Sequence, residues 1–131
     1  MLQYNTGKGK NFNRIFSAYS CVKIHLLDFS SATSISDMFP YTQYNLTTLG
    51  GFKDLGKAYQ TTQSANYSSY TLNLSGCKKL THESLMNVIN NLYDIASIGV
   101  QPQKLQLGST NLAKLTDEEK AIAQNKGWSI S

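Results

Sequence analysis

The sequence predicts an α/β solenoid, with a short parallel sheet along a concave side and helices or turns along a convex side. Three observations predict it. Two stretches, 70–92 and 104–124, repeat one order of elements: an alternating strand, a turn, then a helix start. Leucines recur at a fixed step, with Leu26, Leu49 and Leu72 standing 23 residues apart and Leu105 and Trp128 doing the same. The local pattern L-x-L marks the strands at Leu72-Asn73-Leu74 and Leu105-Gln106-Leu107, with Trp128-Ser129-Ile130 as an aromatic variant.

Taken in chain order, residues 1–14 are irregular or a partial first repeat, and residues 15–131 form about five coils of a single domain. A short helical turn is expected over Asn13 to Ala18 and another over Ile35 to Phe39, before Pro40. With Ile24 and Leu26 facing the core, Lys23 and His25 project from the concave face. The strand at Leu46 to Leu49 is abbreviated and runs straight into Gly50-Gly51. Gly56 to Ser69 is a polar excursion, helix or loop. Leu72 and Leu74 alternate with polar residues, so one side of their strand is buried and the other wet. In 81–92, Leu85, Val88, Ile89 and Leu92 make one apolar stripe, Thr81 caps the start and Glu83 suits the first turn. The step of 33 from Leu72 to Leu105 implies a longer connection around Asp94 to Gln103. Thr116 and Glu119 match a capping box, and Gly127 suits the left-handed end of the last helix. Residues 125–131, with Trp128 and Ile130, form a final strand that seals the C-terminal end.

A step of 23 falls among leucine-rich repeats. The run Leu72-Asn-Leu74-Ser-Gly-Cys77-Lys-Lys-Leu80-Thr81 resembles their cysteine-containing unit, L-x-L-x-x-C-x-x-L-T. Leu27-Asp28-Phe29-Ser30 through Thr33, Ile35, Met38 and Phe39 resembles the L-D-x-S-x-x-T-x-M-x-x-M-F unit of BspA-like bacterial repeat proteins. Leu46 through Leu92 is similar to the terminal repeats of such proteins in gut Firmicutes and their prophages. The resemblance spans residues 15–131, with Ile35 replacing a methionine and Thr110 standing where Cys77 stands one repeat earlier. It implies a cell-surface or secreted adhesion protein that binds a host or matrix partner. The N-terminal end shows no comparable cap, so further repeats of the same polypeptide are an expected neighbour.

Composition narrows the function classes. The chain has 131 residues, is 40% hydrophobic and 15% charged, and carries a net charge of +4, which speaks against disorder. The excess sits in Lys8, Lys10, Arg14 and Lys23, four spaced cations that read as solvated rather than as a nucleic-acid stripe. No apolar run reaches the length of a membrane span, so no membrane insertion is expected. Cys21 and Cys77 with two scattered histidines outline neither a zinc site nor a disulfide framework, and no metal or cofactor is expected. Gly7-Lys8-Gly9-Lys10 lacks the phosphate-loop pattern.

No catalytic residue is assigned. Cys77, and Cys21 by analogy, read as small buried residues of the coil turn, and His82 as an exposed first-turn residue. Adjacent Glu118 and Glu119 favour the helix dipole and do not face each other across a cleft. The concave positions Lys23, His25, Thr48, Thr71, Asn73, Lys104 and Gln106 would form a polar, mildly basic binding face for a protein or glycan. The alternative is a terminal cap of a longer repeat array with no ligand of its own.

Overall fold

The computed structural model describes residues 7–16, 21–40, 43, 45–62 and 71–131. Within them the protein is mixed α/β, and every paired strand is short and parallel. Strand β1 (Lys23–Ile24) pairs with β3 (Thr48–Leu49), and β2 (Leu27–Asp28) pairs with β4 (Phe52–Lys53). Strands β5 (Leu72–Asn73), β6 (Gln103–Gln106) and β7 (Trp128–Ile130) form one sheet in that order. Parallel partners require a long crossover between them. Here the step is 25 residues for Ile24↔Leu49, Leu27↔Phe52 and Leu105↔Ile130, and 33 for Leu72↔Leu105.

That register corrects the leucine column. Leu26 is 49% exposed, while Ile24 and Leu27 are buried. The backbone breaks at His25-Leu26, between β1 and β2, so the two-residue alternation restarts and Leu27 takes the inward place assigned to Leu26. Trp128 shares a sheet with Leu72 and Leu105, but it stands opposite Gln103, and Ile130 is the partner of Leu105. Its indole is buried even so: Nε1 donates to the Tyr93 carbonyl at 3.1 Å, and the ring lies 6.2 Å from that of Tyr59.

The expected helical turns near the start are absent among the described residues. Phe12, Arg14 and Phe16 donate their backbone N–H groups to Ser34, Met38 and Ser36 carbonyls of the next pass (Phe12 to Ser34, Arg14 to Ser36, Phe16 to Met38). Arg14 and Asp37 take left-handed backbone, φ 58° and 54°, which a right-handed helical turn cannot include, so 13–16 and 36–39 are turns and bends. Residues 17–18 of the first expected turn, 1–6 of the irregular start and 63–69 of the polar excursion lie outside the described residues. Its described part, 56–62, is turns and irregular backbone with Tyr59 buried.

The two anticipated helices are present. Helix α1 (His82–Asn91) starts on Thr81, whose side chain accepts from the Ser84 N–H, and buries Leu85, Val88 and Ile89. A short helix α2 (Gly108–Leu112), which the repeat pattern does not signal, follows β6. Helix α3 (Asp117–Asn125) carries the full Thr116/Glu119 capping box, and Gly127 follows at φ 91°. The Gly50-Gly51 pair is required by packing. A Cβ on Gly50 would lie 2.2 Å from the Leu26 backbone nitrogen, and Gly51 holds φ 103° against the Asn87 carbonyl.

Polar side chains inside the fold add hydrogen bonds to backbone groups of neighbouring passes. Buried Asn111 donates from Nδ2 to the carbonyls of Leu74, Cys77 and Leu107. Thr110, the residue aligned with Cys77, is exposed, and its neighbour does the interior work. Ser84 Oγ accepts from the Leu49 N–H and donates to the Thr47 carbonyl.

Candidate binding face

The seven expected face residues separate into two groups. Lys23 and Thr48 are register partners on β1 and β3, with Lys23 exposed and Thr48 half-buried. Asn73 and Gln106 are register partners on β5 and β6, both exposed, and one alternation back Lys104 is exposed beside half-buried Thr71. Among the described residues the two pairs belong to different sheets. His25 departs most from expectation. It is half-buried rather than outward, and its Nε2 is shielded from solvent with no hydrogen-bond partner among the described residues, because the break after β1 turns it away from the strand face.

Beside the second group the structure forms a groove of about 400 Å³, lined by Ser36, Asp37, Thr71, Asn73 and Gln106. Ser36 and Asp37 therefore border Thr71 and Asn73. Asn73 is held in place from within its own turn. Its Oδ1 accepts from the Ser75 backbone N–H at 3.0 Å and from Ser75 Oγ at 2.6 Å. A backbone N–H only donates, so the amide oxygen must face it and Nδ2 is left facing away. Asp37 Oδ2 accepts from Arg14 Nη1 at 3.1 Å, across a pair whose side chains are each 53% exposed. Such an exposed pair contributes about 0–1 kcal/mol. Arg14 and Asp37 both take left-handed backbone, φ 58° and 54°, a conformation that costs a non-glycine residue of order 1–3 kcal/mol. Sequence reading missed Ser36, Asp37 and Arg14 because it placed 13–18 and 35–39 in helical turns. The available signal was the 23-residue step joining Asn11 to Ser34 and Arg14 to Asp37.

The remaining reactive groups serve packing. Cys77 is fully buried and burial pushes its thiol up to about 12, so it stays protonated and inert at neutral pH. Cys21 is half-buried, more open than its turn analogue, and burial raises its thiol as well. His82 is exposed as expected, yet its Nε2 lies 2.6 Å from Glu119 Oε2 and ties α1 to α3. The Thr116 backbone N–H, with smaller help from His82, holds the Glu119 carboxyl below the usual value. Lys114 Nζ donates to the Lys78 and Leu80 carbonyls, and Lys126 Nζ to those of Ile89 and Asn90 at the end of α1. A cation there suits the helix dipole. Burial lowers the pKa of both ammonium groups. Among the described residues no three His, Cys, Asp or Glu side chains gather to hold a metal ion. No helix among them is long and apolar enough to cross a membrane.

No family model, curated protein or solved structure matches the chain.

Proposed function

We propose that this protein is a non-catalytic binding module of the leucine-rich-repeat type, which takes a protein or glycan partner on the outward face of β5 and β6. The observation that carries the reading is the groove where Thr71, Asn73 and Gln106 meet Ser36 and Asp37. The parallel steps of 25 and 33 residues support a solenoid, since each pass buries its leucines only against its neighbours. Cys77, protonated and closed off from solvent, supports a role without a thiolate nucleophile. The resemblance to BspA-like repeats supports a place on a bacterial cell surface or in the secreted fraction, in a cell or prophage context.

The test is binding of the full chain to arrays of extracellular host proteins and of glycans. Wild type should retain a specific partner, and combined Lys104→Ala and Gln106→Ala should weaken it about tenfold or more, about 1.4 kcal/mol or above. Both side chains are exposed and Gln106 spends no side-chain bond on the fold, so the variant should melt with the wild type. Equal affinity in the two proteins would refute this face as the site.

A further inference from the structure

We infer that the groove between the Ser36-Asp37 turn and the Thr71–Asn73/Gln106 strands is a site for an uncharged saccharide. This deepens the binding reading above and rests on it. Among the described residues the lining supplies two hydroxyls, two carboxamides and one carboxylate. Five polar side chains converging on a groove of mixed polar and apolar surface suit a ligand that offers hydroxyl groups beside C–H faces, as a sugar ring does.

The donor and acceptor arrangement agrees. Each sugar hydroxyl donates one hydrogen bond and accepts others, so neighbouring ring hydroxyls call for acceptor and donor groups together. Asp37 keeps Oδ1 as an acceptor while Arg14 occupies Oδ2. Asn73, with Oδ1 committed to Ser75, presents Nδ2 as a donor fixed before any ligand arrives. Gln106 adds a second carboxamide opposite Asn73 in the register. The Arg14 guanidinium offsets the single carboxylate of the described lining, and exposed Lys104, beside Thr71 in the register, is the neighbouring cation whose pull on an anionic sugar the sialyllactose titration reads.

The experiment titrates the isotopically labelled full chain with chitotriose, mannotriose, cellotriose and sialyllactose at millimolar concentration, following backbone amide shifts. A parallel arm screens an array of extended peptides. Saturable shifts at Ser36, Asp37, Asn73 and Gln106 with a neutral sugar are expected. Asp37→Asn and Gln106→Ala should each reduce affinity about tenfold, and exposed Lys79→Ala should change nothing. Asparagine tolerates the left-handed backbone of position 37, so the first variant should keep its fold. If no neutral sugar moves these amides, or if only sialyllactose does, the saccharide assignment falls. If peptides bind instead and Gln106→Ala abolishes it, the assignment falls while the binding face stands. Silence in both arms overturns the two together.

Discussion

Between residues 7 and 55, neighbouring passes of the chain meet through rings. Phe29 stacks on Phe12 at 4.2 Å and tilts against Phe52 at 5.0 Å, and Phe16 stacks on Phe39 at 4.7 Å, while the strands themselves are only two residues long. Between residues 71 and 131 the passes meet through helices and side chains that bond backbone carbonyls in the neighbouring pass. Both regions solve the problem of a parallel stack whose strands are too short to satisfy the backbone alone. The first places large apolar surfaces in register, with polar bonds such as Ser34 Oγ to Asn13 Oδ1 and Arg14 to Asp37 joining its exposed edges. The second adds amide and ammonium donors to inward carbonyls of the neighbouring pass, where the loss of a buried hydrogen bond is costly.

The sharpest way to break the comparison is to remove a ring. Phe29 is fully buried between two others, so Phe29→Ala should cost about 3–5 kcal/mol in urea unfolding. A loss under about 1 kcal/mol would mean that the rings only fill space near a stack held by other means. Next comes the polar region. Asn111→Leu keeps a similar volume but removes the buried side-chain donor to the Leu74, Cys77 and Leu107 carbonyls, and should cost about 1–3 kcal/mol. A neutral or stabilising result would show that these carbonyls find other partners.

A third measurement asks whether the second region's interior is closed to water. The Cys77 thiol is raised from 9.0 to about 12 in the folded chain. Its contribution is fully present below pH 9.0 and is lost as pH rises toward 12, because the unfolded thiol ionises first. Relative to Cys77→Ala, wild type should lose about 1.4 kcal/mol per pH unit across that window. Parallel profiles for the two proteins would place Cys77 in contact with solvent. The smallest effect concerns a helix end: Thr116→Ala removes the cap that accepts from the Glu119 N–H and should cost about 1 kcal/mol. It should raise amide exchange in α3 while leaving the aromatic region unchanged, and equal exchange in both regions would join them into one cooperative unit.

Legibility followed locality. Helices α1 and α3, with their caps at Thr81 and Thr116, could be read because cap and stripe lie within one turn of each other. The strands at Leu72 and Leu105 could be read from their alternation, and that placed Thr71, Asn73, Lys104 and Gln106 correctly on one side of one sheet. The other side of the groove could not. Ser36 and Asp37 owe their place to bonds with residues 13 and 14, more than twenty positions away, in segments whose local pattern looks helical.

By itself, then, the sequence determined the parts that neighbouring residues enforce: the capped helices, the alternating strands and the need for glycine where the chain turns sharply. Tertiary structure decided the register. The step between register partners is 25, and a break of two residues after Ile24 sent Leu26 to the surface and Leu27 to the core. It also decided which polar residues would be buried, because Asn111, Lys114 and Lys126 bond carbonyls some 34–37 residues earlier. No local periodicity encodes such a partner, since it exists only once one pass has come to lie on another.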